Sequence, residues 1–191
     1  MAEVELLLTA GLVEFETVDP RHPDARHCLG EYFAELGQRF EAGFDPALTI
    51  GVDEFRPPLG VFVVATLRAE PIGCGALIWH GGGAADLKRM WVSGSVRGLG
   101  IGRRLLTELE RLAALAGASA VRLETNRSLA EAIALYRSAG YVEVAPFNDE
   151  YYAHHWFEKP VGPSSDSGKR LPLRDGAARD HAGGRAASDH R

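Results

Sequence analysis

The residues with the most distinctive spacing are Val96-Arg97-Gly98-Leu99-Gly100-Ile101-Gly102-Arg103-Arg104. Alternate glycines clear side chains from the main chain, so successive N–H groups can close around an anion. The apolar periodicity that begins at Ile101 makes this loop the entrance to a helix, whose dipole adds to the attraction. Arg97, Arg103 and Arg104 place positive charge beside it. The chemistry implied is retention of a phosphate or diphosphate. Two familiar phosphate loops do not fit. The dinucleotide fingerprint G-x-G-x-x-G fails because residue 105 is leucine, and no G-x-x-x-x-G-K-[ST] run occurs.

Metal and thiol chemistry have less to stand on. Cys28 and Cys74, the two cysteines, cannot form a disulfide framework or a four-ligand zinc site. They read as small buried apolar residues, and Cys74 lies inside a β run without a cue for nucleophilic activation. His154 and His155 are adjacent on an expected strand, so they point to opposite faces and do not share a metal. There is no HExxH, and His22 with His27 is not a ligand spacing. No metal is expected.

The elements that must position the glycine loop follow from apolar periodicity. Residues 12–18 alternate as a half-buried strand, and a helix is expected over 24–42 from Leu29, Phe33, Leu36 and Phe40. Residues 60–67, 72–80 and 85–92 read as three strands linked by turns at Arg68–Pro71 and Gly81–Gly83, an antiparallel meander. A helix follows from Ile101 to Ala116 and ends at Gly117. Residues 120–125 form a strand, and Ser128 with Glu131 carries a capping-box spacing for a helix that Gly140 ends. Residues 141–144 and 153–158 are the last strands. The class is α/β with a mixed central sheet.

With 191 residues, 46% hydrophobic and 25% charged, the chain suits one globular domain. A net charge of −5 argues against nucleic acid as the partner. No apolar run approaches the roughly 20 residues of a membrane span. Met1 to Ala10 lacks the basic flank of a secretory signal, so a cytoplasmic protein with no membrane partner is expected. Residues 163–191 contain no aromatic residue and, as large aliphatics, only Leu171 and Leu173. They read as a disordered extension. The expected division is a domain over 1–160 and a polar tail over 161–191.

Arg97-Gly98-Leu99-Gly100-Ile101-Gly102 matches a signature of Gln or Arg, two residues, Gly, one residue, then Gly or Ala. Together with Asp86 to Val92, Leu123-Glu124-Thr125-Asn126 and Leu135 to Tyr141, it makes residues 12–160 resemble the GNAT superfamily of acetyl-CoA-dependent N-acetyltransferases. The resemblance implies a fourth strand that bulges and splays from the fifth, with helices on both sheet faces. It implies coenzyme A in the opening, with pantetheine on the backbone of Met90, Trp91 and Val92. Arg97, Gly98, Leu99, Gly100, Ile101, Gly102 and Arg103 would hold the pyrophosphate, and Asn126 would add a polar contact. Tyr136 would point at the sulfur and protonate it. Asp86 matches a position where several members carry a glutamate base, and its short side chain would act through water.

The implied reaction is direct attack of a small-molecule or peptide amine on acetyl-CoA, through a tetrahedral intermediate polarised by a backbone amide of the fourth strand. A non-catalytic acyl-CoA sensor or scaffold is the alternative. In the family the acceptor site comes from the first helix, the loop after it and the last strands. Glu31, Glu35, Glu41, Asp45, Asp149 and Glu150 make these regions acidic here, so a cationic acceptor is expected. The strand His154 to Glu158 could pair across a homodimer.

Overall fold

The computed structural model describes residues 11–81 and 83–162. The expectations for Met1 to Ala10 and for residues 163–191 lie outside the described residues.

Seven strands form one sheet in the order β1-β2-β3-β4-β5-β7-β6. β1 (Val13–Val18), β2 (Gly60–Leu67), β3 (Glu70–Ile78) and β4 (Ala84–Val92) are antiparallel neighbours. β4 meets β5 (Ala120–Thr125) in parallel, and β5 then pairs antiparallel with β7 (His155–Pro160). The β2–β3 turn is tighter than the sequence suggested. Only Arg68 and Ala69 lie outside the ladder, both at positive φ (52° and 65°), the geometry whose twist matches a two-residue hairpin. Pro71 is therefore inside β3, beside a register shift at Ala65/Thr66.

Three helices cover both faces. α1 (Pro23–Arg39) starts with Pro23 in its first turn and the His22 side chain accepting from the Asp24 amide. Its buried Ala25, Cys28 and Leu29 pack on Phe62, Val64, Cys74, Ala76 and Ile78. α2 (Ile101–Leu115) lays Leu105, Leu109 and Leu112 on Val61, Val63, Leu77 and Leu87 from the opposite face. Each such buried leucine stabilises the fold by about 1.5–3 kcal/mol.

Glycines at positive φ end α2 and α3 (Ala130–Ser138) in the same way. After α2, Gly117 N–H donates to Ala114 and Ala118 N–H to Ala113; after α3, Gly140 donates to Arg137 and Tyr141 to Tyr136. In the second case the accompanying apolar contact is Tyr136 on Tyr141, centroids 5.8 Å apart. The capping box expected at Ser128 does not form. Leu129 is the cap, with no side-chain bond, because Glu131 is drawn away to Arg39 on α1. The last strand is not a bare sheet edge. β7 lies between β5 and β6 (Val142–Glu143), which covers its outer edge at Phe157 and Glu158.

Candidate active site

β4 makes the opening. Between the pairs Cys74↔Trp91 and Ala76↔Lys88, two residues of β4, Arg89 and Met90, oppose Gly75 alone, a β-bulge. Arg89 sits at φ 55°, a left-handed conformation that non-glycine residues rarely adopt. β4 is paired with β5 only over Ala84–Asp86 against Ala120–Arg122, and beyond that point the strands part. From Leu87 onward the β4 backbone has no β5 partner.

The glycine loop lies at the wide end of this cleft. A short 3-10 turn (Gly94–Val96) leads into Gly98 and Gly100 at φ 82° and 75°, and Gly100 caps α2. No side chain caps α2 and no acidic residue occupies its first turn. The intrahelical ladder begins with Arg104 N–H on the Gly100 carbonyl, which leaves the amides of Ile101, Gly102 and Arg103 without helical acceptors. At Gly102 a Cβ would stand 3.4 Å from the Leu135 side chain, so the close approach of α2 and α3 leaves little room there.

A cavity of about 480 Å³ extends from this loop, between α1, β4 and α3, to Tyr136. Met90, Trp91, Val92, Arg97, Gly98, Gly100, Ile101, Gly102, Arg103 and Tyr136 all line it. Leu99 does not; it packs on the cluster of Val13, Ala65, Ile72, Val96 and Ile101 behind the loop. A second, smaller cavity of about 90 Å³ shares Tyr32, Leu36, Met90, Leu129, Ala132 and Tyr136 with the first. It continues past them to Lys88, Arg89, Glu124, Glu150 and the rings of Phe40, Phe44 and Tyr152. Tyr136 thus stands where the two meet.

The charges around the cleft were only partly foreseen. Glu35 of α1 accepts from Trp91 Nε1 (2.9 Å), Arg97 Nη2 (2.5 Å) and Arg39 Nη1 (3.0 Å). Burial pushes its carboxyl up, but these bonds outweigh it and hold the group below the usual glutamate range. Arg97 also donates from Nε to the Val92 carbonyl, so it reaches across the cavity instead of lying beside the loop amides. Lys88 and Glu124, both buried, pair where β4 and β5 diverge. Glu150 has its carboxyl pushed up by burial, against the pull of Lys88. Burial raises the Tyr136 hydroxyl well above the ordinary phenol range and pushes Tyr32 up to about 12.

The expectation for Asp86 requires correction, and Asn126 is engaged within the fold. Asp86 lies in the paired part of β4 and lines neither cavity. Its Oδ1 accepts from Arg122 Nε at 2.5 Å and its Oδ2 faces His80 Nε2 at 3.0 Å, so both oxygens are spent within the fold. Asn126 lines the smaller cavity, but its Nδ2 donates to the Tyr152 carbonyl and its Oδ1 accepts from the Ser128 amide. It positions the two loops that flank the cavity. The adjacent cations Lys88-Arg89 inside a buried strand were the signal that could have pointed to the second cavity.

The comparisons with known proteins agree with this geometry. A family model described as an acetyltransferase (GNAT) domain matches residues 58–143. An uncharacterized N-acetyltransferase of Schizosaccharomyces pombe is 30% identical over 127 residues, which cover 65% of this chain and 78% of that protein. The chain belongs to the GNAT acetyltransferase superfamily. An IAA acetyltransferase of Azospirillum brasilense is 46% identical over 87 residues, 45% of this chain, and the match spans only 57% of that relative. Among solved structures, an aminoglycoside 6′-N-acetyltransferase complexed with coenzyme A superposes with a TM-score of 0.59 at 20% identity, covering 78% of this chain and 98% of that one. That likeness shows the GNAT fold. Among the described residues no helix is long and apolar enough to cross a membrane.

Proposed function

We propose that this GNAT chain transfers an acetyl group from acetyl-CoA to a primary amine. The observation that carries the reading is the pair of contiguous cavities that meet at Tyr136, one leading to an uncapped helix N-terminus and the other to a half-buried carboxylate. The residues present fit coenzyme A: free amides at Ile101–Arg103 suit a diphosphate, and the unpaired β4 edge suits the amide groups of pantetheine. Acetyl-CoA, when bound, supplies the thioester carbonyl that the amine attacks.

The roles of the chain follow from position. Main-chain N–H groups of Ile101 to Arg103 bind the diphosphate, and β4 from Met90 to Val92 aligns the pantetheine arm. A β4 amide past the splay polarises the thioester oxygen. An alkylamine has a pKa of roughly 10 in water and must lose its charge to react. Glu150, in the second cavity, takes the proton from nitrogen in the place once expected for Asp86. Tyr136, kept neutral by burial, donates its hydroxyl proton toward sulfur. The balance is one N–C bond formed, one C–S bond broken, one proton off nitrogen and one onto sulfur.

Release of free thiol from acetyl-CoA, measured with a panel of primary amines, tests this. Thiol release dependent on an amine is expected, and Tyr136→Phe should lower kcat about 10- to 100-fold with coenzyme A affinity kept. Binding of coenzyme A without turnover of any amine would leave the acyl-CoA-binding module as the better reading.

A further inference from the structure

The second cavity holds two charges, Arg89 and Glu150, that feel each other's field but form no contact ion pair among the described residues. Arg89 is buried, yet no carboxylate among the described residues pairs with it. Its Nη2 donates to neutral acceptors, Thr49 Oγ1 at 2.8 Å and the Ile50 carbonyl at 2.7 Å. Its Nε is buried and bonded to nothing. The rings of Phe33 and Phe55 flank the guanidinium at 5.4 and 5.6 Å, which softens its isolation without neutralising it. A buried guanidinium in this state is costly unless an anion arrives. The left-handed backbone at Arg89 is a second cost borne at the same residue.

Glu150 is the opposite case, a half-buried carboxylate in the same cavity with no ion pair among the described residues. The remaining pair in the wall, Lys88 with Glu124, cancels internally. Of the acidic residues from which a cationic acceptor was expected, only Glu150 reaches this cavity. Glu35 is spent on Arg39, Arg97 and Trp91, and Asp45 accepts from the Ala47 amide. What remains is one cation and one anion. The wall beside them is apolar and aromatic: Phe44 lies 5.0 Å from Tyr152, and Phe40 5.5 Å from Tyr152, centroid to centroid.

We propose that the acceptor is a zwitterionic amino-carboxylate with an apolar side chain, its carboxylate on Arg89, its amine toward Glu150 and its side chain against Phe40, Phe44 and Tyr152. The inference rests on the N-acetyl transfer reading and names the substrate class of that same site. A guanidinium donates charge-assisted hydrogen bonds to a carboxylate, which favours an acceptor that carries one. A polyamine would instead bring a second positive charge against Arg89.

The test compares phenylalanine and leucine with phenethylamine and isoamylamine, which lack only the carboxylate, and with spermidine, by thiol release from acetyl-CoA. Each amino acid is expected to exceed its decarboxylated analogue at least tenfold in kcat/KM. Arg89→Gln is expected to shrink that ratio toward one. The wild-type ratio needs no variant, so it stands even if Arg89→Gln fails to fold. Equal or faster turnover of the amines or of spermidine, or an unchanged ratio in a folded Arg89→Gln, overturns the amino-carboxylate assignment and leaves acetyl transfer standing. No thiol release with any of the five overturns both.

Discussion

At Glu150, the base proposed above, chemistry and stability would pull in opposite directions. Burial raises its carboxyl above the ordinary glutamate range. A carboxyl raised by folding contributes stability below its unfolded pKa and loses it as pH rises through the folded value. At neutral pH the ionised form therefore carries a desolvation cost, and a base of raised pKa is better matched to an ammonium proton. Glu150→Gln should lower kcat/KM about 100-fold near pH 7 while leaving the thermal midpoint level or higher. Kinetics and thermal melts on the same preparation check both halves. A lower midpoint with activity retained would make Glu150 a structural residue. The loop itself was legible in the sequence, because the turns that Gly98 and Gly100 make at positive φ are local. The engagement of Asp86 and Asn126 was not, since their partners Arg122 and Tyr152 lie 36 and 26 residues away. A side chain's availability depends on such distant contacts, and no local spacing reveals them.

At the scale of elements, β4 carries the architecture. Its bulge turns Arg89 into the second cavity, its unpaired edge faces the first, and its divergence from β5 occurs over the Lys88–Glu124 pair. Both charges are buried, so removing one strands the other. Lys88→Met is expected to cost about 3–5 kcal/mol in denaturant unfolding, and Lys88→Met with Glu124→Leu should recover most of it. A double variant no more stable than the single one would mean that the pair holds β4 and β5 apart through more than charge compensation. The meander, the helical stripe of α2 and the terminating glycines 117 and 140 were readable because periodicity and positive φ are local properties. The start of α3 and the interior position of β7 were not. The first was overridden by Arg39 from α1, the second by strand order, which alternation cannot encode.

For the whole molecule, two cavities that share Tyr136 in their walls lie between an uncapped helix N-terminus and a mixed-charge pocket. β4 and β5 part beside these cavities, and α1 and α3 residues line the sides of the larger one. Arg97 spans the larger cavity to Glu35, linking the loop after β4 to α1 across the route proposed for the cofactor. The amides near residue 100 are proposed to hold the diphosphate of coenzyme A. Calorimetric titration of coenzyme A into the protein, beside Gly100→Asp, tests it most directly. One site with saturable heat in the native chain, abolished in a variant that still melts cooperatively, is the outcome this account requires. Absence of heat in the native chain up to about 1 mM, or equal binding by Gly100→Asp, would contradict it.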